Sequence, residues 1–513
     1  MVPAGVCWIS ALLLSGLDET GSFHLRIVEA DSSTLERALP CRVHITGPGG
    51  EPVRVPGLPF FRDHVSCEGE LRFTGAPGRY SYTVERGPEY RRGSGAIEVA
   101  PGKETEATVR LERWIDLAAR GWWSGETHVH RPLEEMPILL RAEDLHVAPV
   151  LTVWNQRNLW SERAPPPGLL VEPEPGRAFH ILSCEDERQG GAILYHNLSA
   201  PLDFRGDGPE HPSPMTHVDE ALEQPGAWVE IEKPFWWDAP TWAATGKVRS
   251  IGIANNHMCR ASMYENEAWG RPRDAARLPP PRGNGFHSQE VYYRLLNCGF
   301  RIPPSAGSAS GVLPNPIGYN RVYVFIEGPF SHEAWWKGLG EGRSFVTNGP
   351  VLLVEANGRR PGAVLQAPEG GAVRIALDVR VDGNDPLERI EVIRDGEVVE
   401  AIGAASPDGE CPRGWIHTRN LLFEKSGWLI VRAVAKVPET FRFASTAPFF
   451  VEVGKTPRRI HRKDVEYFLR WIDERIDRLE TSEHLKDRGQ RDEALRPHRE
   501  ARKTFEGLLK DAE

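Results

Sequence analysis

His128 and His130 stand two residues apart in the run GETHVH, and a strand sends side chains two apart to the same side. Two neutral imidazoles on one side make half of a typical zinc, manganese or iron site. A second run, FHILSCEDER, carries an apolar strand into Cys184, Glu185, Asp186, Glu187 and Arg188, so that carboxylates gather where the strand ends. Further polar groups close other strand-like runs: Trp154-Asn155 with Arg157, Glu232-Lys233, Asn255-Asn256-His257 with Arg260, and Ser305, Gly307, Ser308 and Ser310. Each has an ordinary explanation. An HxH pair alone is more often structural, Glu185 to Glu187 also reads as a solvated loop, and His257 as a satisfied histidine. Three separate strands delivering ligands to one face is the harder combination to dismiss. The reading is a divalent ion, one or two in number, held by His128, His130, Glu185 and His257, with Glu232 a weaker addition.

Arg131, Arg157, Arg188 and Arg260 each follow one of these strands closely, and guanidinium groups suit phosphate or carboxylate. Arg131 and Arg188 are therefore expected to act in catalysis beside Glu185 and His257, with surface arginines as the plain alternative. Trp122, Trp123, Trp154, Trp160, Trp236, Trp237 and Trp242 crowd the same stretch. Aromatic walls hold sugars or apolar groups, although most tryptophans are core residues.

The elements that must position these groups alternate between strand and helix from residue 114 to 350. The strand-like runs are GETHVH, VAPVLTVW, FHILSCE, GGAILYH, AWVEIE, SIGIANN and RVYVFI. Helices are expected over Leu133 to Leu145 and over Ser288 to Leu296, the latter opening on Ser288 as its cap. Such alternation implies a parallel sheet closed into a barrel, whose chemistry sits at the C-terminal ends of the strands. Before it, residues 22–113 show short alternating runs split by Gly and Pro, the mark of a β-sandwich. After it, residues 351–456 alternate again at Val373, Ile375, Leu377, Val379 and Val381, with hairpin turns expected at Asn357-Gly358 and Asp395-Gly396. In the tail, 457–513, Val465, Leu469, Ile472, Ile476 and Leu479 form a helical stripe, and Leu495, Ala501, Phe505, Leu508 and Leu509 a second helix folded back on it. The fold class is thus multidomain α+β: a central β/α barrel flanked by two sandwiches, with a C-terminal helical hairpin.

The segment GWWSGETHVHRP, Gly121 to Pro132, resembles the opening strand of the PHP (polymerase and histidinol phosphatase) superfamily, and in particular its CehA/McbA-type metallohydrolases. GRSFVTNGP, Gly342 to Pro350, is similar to the segment that closes the barrel in such proteins, so the likeness spans about 121 to 360. The resemblance implies a distorted seven-stranded barrel binding up to three metal ions, with His128 and His130 as the HxH pair and Glu185 as the bridging glutamate. This chain departs from the pattern at two places. Trp154-Asn155 replaces an Asp-His pair, and Ser308-Ala309-Ser310 replaces a terminal Asp-x-His. Neither serine nor alanine substitutes for a carboxylate or imidazole as a ligand. GAPGRYSYTVERGP, Gly75 to Pro88, resembles the transthyretin-like or carboxypeptidase-regulatory-like modules attached to exported enzymes.

The 513-residue chain has 26% charged and 40% hydrophobic residues, the balance of folded soluble domains, and its length points to about three of them. A net charge of −10, with no basic run interleaved with aromatics, argues against nucleic acid as a partner. Residues 6–16, VCWISALLLSG, are too short to span a bilayer but suit the core of a secretory signal over 1–21, so a secreted or envelope location is expected. No basic residue precedes the run, and a buried N-terminal element is the alternative. The seven cysteines show no CxxC spacing, and Cys41 and Cys67 lie within one expected domain. The leading expectation is a metal-dependent hydrolase of a phosphoester or a carboxyl or carbamate ester. The second is a non-catalytic envelope or extracellular protein binding a glycan or anionic ligand, favoured by the two missing ligand motifs. The third is a structural envelope component.

Overall fold

The computed structural model describes residues 20–30, 37–403, 414–417, 421–455 and 457–513. The expected signal segment lies, apart from its last two residues, outside them. The protein is multidomain and rich in sheet, with seven α-helices among the described residues.

In the N-terminal region a three-stranded sheet (Gly21–Glu29, Glu70–Gly75, Glu104–Leu111) and a five-stranded sheet enclose one core. Alternation puts Phe23, Leu25 and Ile27 inward from one sheet and Val43, Ile45 and Val84 inward from the other. Cys41 and Cys67 are direct partners across an antiparallel pair, their thiols free, buried and 3.8 Å apart.

The central strands follow chain order and close on themselves. Trp122–Gly125 pairs in parallel with Val147–Trp154, which pairs in parallel with Arg177–Arg188. Gly191–His196 then runs antiparallel to Arg177–Arg188 and to Trp228–Ile231, after which Ser250–Ala254 and Pro304–Ala306 are parallel again. Arg321–Phe325 returns antiparallel to Trp122–Gly125 and completes the ring. The purely parallel sheet expected from β/α alternation is therefore a mixed one. The reason is local: Gly190-Gly191 turns the chain straight back on itself, and Gly191 takes a φ of 124° that side chains disfavour.

Two helices differ from expectation. Leu133 to Leu145 splits into a 3-10 turn, Leu133–Glu135, and a short helix, Met136–Ala142, ended by the positive φ of Asp144. The later helix runs Gly283–Asn297, so Ser288 is an internal, buried residue bonding to the Asn284 carbonyl and not a cap. Its glycines hid the first turns, because glycine weakens helices. Gly285 serves packing: a Cβ there would sit 2.4 Å from Phe441 Cγ.

Residues beyond 350 are largely sheet, with Leu377, Val379 and Val381 buried alternately. Asn357-Gly358 and Asp395-Gly396 form their expected turns with positive φ at both positions. The sheet here is continuous with the ring, because Ser344–Thr347 pairs with Arg321–Phe325 on one side and with Phe443–Thr446 on the other. The tail forms two helices, Arg462–Glu480 and Arg488–Leu508. Val465, Phe468, Trp471, Ile472, Ala501 and Phe505 join the core of the central region, while Leu469 and Ile476 are only partly buried.

A candidate metal centre

The HxH segment continues past the regular part of its strand. The His130 amide donates to the Ser310 carbonyl, and the Leu151 amide to the Val129 carbonyl, so the segment is held between two neighbours. Val129 is fully buried, which leaves His128 and His130 on the opposite side together. Gly307 allows the close approach, since a Cβ there would lie 2.4 Å from His128 Cβ.

Glu185 reaches the pair from Arg177–Arg188. His128 Nε2 and His130 Nε2 are 3.1 Å apart, and Glu185 Oε2 is 3.4 Å from the first and 3.1 Å from the second. Ligands about 2.0–2.1 Å from a tetrahedral zinc are separated by about 3.3 Å, so this triangle has the edge lengths of a metal ligand set. Glu185 Oε2 is buried and faces only these two imidazoles, neither of which meets it in good hydrogen-bond alignment. The residues present therefore fit a divalent ion.

Burial opposes charge on His128, but Glu185 and Glu232 outweigh it and push the imidazole up to about 10. Burial likewise works against the Glu185 carboxylate, yet the two histidines hold it well below the usual range. His130, dominated by burial, is lowered. His128 Nδ1 lies 3.3 Å from Glu232 Oε1, an arrangement that leaves Nε2 facing the cluster. Glu232 is itself tied by Lys233 and by Trp236 Nε1 at 2.8 Å.

The three side chains open into a cavity of about 240 Å³ whose walls include Trp154, Glu187, Lys233, Trp236, His257, Tyr264 and Trp269. Trp236 and Trp269 stack with centroids 5.0 Å apart, and Trp154 lies 5.1 Å from His130. Glu187 accepts from Trp154 Nε1, and burial together with neighbouring Glu185 raises its carboxyl to about 7. His257 shares the cavity, but its Nδ1 is 3.0 Å from the Asn266 carbonyl, and burial and then Lys233 lower it to about 3.

The arginines do not line this cavity. Arg131 is bound to Glu135 and lies over the Phe61 ring, and Arg188 holds Asp186 and the Pro212 carbonyl. Arg157 lies over Trp154, and Arg260 turns to Glu85 in the N-terminal region. The expected role of Arg131 and Arg188 in catalysis is thus not matched by their placement, since half-buried Glu135 claims the first and buried Asp186 the second. Lys233 is the cation that faces the cavity. The sequence marked Lys233 only as a strand end and Glu232 as a weaker ligand, and the aromatic walls from Tyr264 and Trp269 lie in an irregular loop with no periodic signal.

The departures from the PHP pattern have structural work. Asn155, at a φ of 48°, donates to the Glu187 carbonyl and accepts from the Glu187 amide, fixing the end of the strand that carries Glu185. The Ser308 amide donates to buried Glu126, and its hydroxyl accepts from the Asn320 amide. Burial raises the Glu126 carboxyl, whose two oxygens accept from the Ser308 and Gly318 amides.

No protein-family model and no curated protein sequence matches the chain. Among solved structures it is similar to GBS52, the minor pilin of Streptococcus agalactiae, at 22% identity and a TM-score of 0.17, over 19% of this chain and 46% of the pilin. It is also similar to the Bacillus anthracis TIE protein at 9% identity and a TM-score of 0.14, over 85% of this chain and 50% of that one. The matches thus span about half the length of each neighbour. Among the described residues no helix is long and apolar enough to cross a membrane.

Proposed function

We propose that this chain is a metal-dependent hydrolase built on a divergent PHP-like barrel, holding one ion, or at most two, on His128, His130 and Glu185. The reading rests on one observation: the buried Oε2 of Glu185 and two imidazole Nε2 atoms converge at ligand spacing on a cavity wall. When bound, a zinc, manganese or iron ion supplies a lowered pKa for water and polarises the oxygen of a scissile phosphoryl or carbonyl group. Glu232 orients the His128 ring. Glu187, on the cavity wall and accepting from Trp154 Nε1, is placed to hold or give a proton at the leaving atom. Lys233 attracts an anionic or strongly polar end of the substrate, and Trp154, Trp236 and Trp269 shield its apolar part from water. His257 is a candidate fourth ligand through Nε2. An export signal in 1–21 and an extracellular or envelope setting belong to the same proposal.

The aromatic walls also suit a binding protein for a glycan or an anion, and the missing Asp-His and Asp-x-His motifs favour that second reading. Elemental analysis of protein purified without chelator separates the two, followed by assays with aryl phosphate, carboxyl ester and carbamate substrates. Bound metal with turnover that disappears in the His128→Ala/His130→Ala variant is the expected result. Wild-type protein that stays metal-free after zinc, manganese and iron are each offered would sink the hydrolase reading.

A further inference from the structure

Arg260, which leaves the central mouth for Glu85, borders a second cavity of about 60 Å³. The N-terminal, central and C-terminal regions all contribute to its walls. Five guanidinium groups line it, those of Arg42, Arg92, Arg260, Arg321 and Arg442, against three carboxylates, Glu85, Glu143 and Asp385. Arg42, Arg321 and Arg442 are nearly sealed from solvent, at 6%, 3% and 9% side-chain exposure. The two guanidiniums beyond the number of carboxylates, Arg92 and Arg260, are half-buried at the rim and add positive charge there. On this wall the Tyr319 hydroxyl and Arg442 Nε–H are buried side by side, and neither makes a well-aligned hydrogen bond. Both can donate, so the missing partner is an acceptor. The space is small enough to exclude a nucleotide or a sugar and large enough for one small ion.

We propose that this junction binds a small oxyanion of the phosphate or sulfate class, which fastens the three regions together. Forked guanidinium donors match the oxygens of a tetrahedral anion, and Tyr319 and Arg442 Nε add the two donors now without acceptors. The site is separate from the proposed metal centre and does not depend on it.

The test is thermal unfolding of the full chain in increasing sodium phosphate, against sodium chloride of equal ionic strength. We expect phosphate to give a saturable rise in Tm of about 2–4 °C beyond chloride. Tyr319→Phe, which keeps the ring in place, and Arg442→Gln should each abolish most of that rise. The His128→Ala/His130→Ala protein should retain it. The proposal is overturned if phosphate adds nothing beyond ionic strength, or if chloride saturates equally. It is also overturned if Tyr319→Phe responds fully, or if the response vanishes with the central histidines.

Discussion

Two clusters in this molecule combine two histidines with one carboxylate, and they differ in what their lone pairs are doing. In the N-terminal region His44, Asp63 and His64 lie as near to one another as do His128, His130 and Glu185 in the central region. Asp63, however, takes His44 Nδ1 at 3.2 Å and His64 Nδ1 at 2.9 Å, and His44 Nε2 accepts from Arg42 at 3.1 Å. That cluster is closed by its own hydrogen bonds, with a fixed cation beside it. In the central cluster both Nε2 atoms and Glu185 Oε2 converge within 3.1 to 3.4 Å on the wall of a cavity, and no arginine stands in its lining. Proximity of ligand-type residues therefore does not make a metal site; ligand atoms that converge with room beside them do.

The largest effect that would break this comparison is loss of metal. His128→Ala/His130→Ala should lower bound zinc from about one equivalent to none, whereas His44→Ala/His64→Ala should leave it unchanged. Elemental analysis reads both, and circular dichroism reports that each variant is folded. Metal lost equally from the two would erase the distinction drawn here.

Next in size is the support of the site by the C-terminal helices. Arg475 bridges Asp238 and Glu210 in full burial, and Trp471 Nε1 donates to the Trp237 carbonyl, so the helix braces the loop that carries Trp236. Arg475→Met should cost about 3–5 kcal/mol, because two buried carboxylates lose their cation. Urea unfolding measures it; a cost under about 1 kcal/mol would make the helices a loose appendage.

Smaller is the contribution of Glu232 in orienting His128. Glu232→Gln should weaken zinc affinity by about 10- to 100-fold without abolishing it. A competitive chelator titration reads the change, and an unaltered affinity would leave Glu232 with a purely structural part.

The smallest effect sharpens the contrast from the N-terminal side. Burial, with Asp63 opposing, leaves His64 at about 3 in the folded chain, below its unfolded value of about 6.5. The unfolded state then binds more protons between these values, so stability is complete above pH 6.5 and falls as pH drops toward 3. The slope from this residue is about 1.4 kcal/mol per pH unit. His64→Asn should flatten the decline in stability between pH 6.5 and 5, and an unchanged slope would show that this histidine charges freely.

The legible part of the molecule followed from periodicity and turn chemistry. Apolar runs marked the strands Val147–Trp154 and Arg321–Phe325, and positive φ demanded by Asn-Gly and Asp-Gly placed two turns. Spacing alone put His128 and His130 on one side, and the apolar lead into CEDER pointed to Glu185, although the strand runs on through it to Arg188. Those features are local, set by side-chain period and by backbone sterics within a few residues. Which partners they meet is not local. Arg131, Arg188 and Arg260 have the right type and place for an anion site, yet Glu135, Asp186 and Glu85 claim them, and Glu85 is 175 residues from Arg260. The convergence of Glu185 on two imidazoles, the bonding of His44 with Asp63, and the junction of five arginines likewise depend on which distant groups meet. That assignment comes from packing whole sheets and helices together, which no short window of sequence encodes.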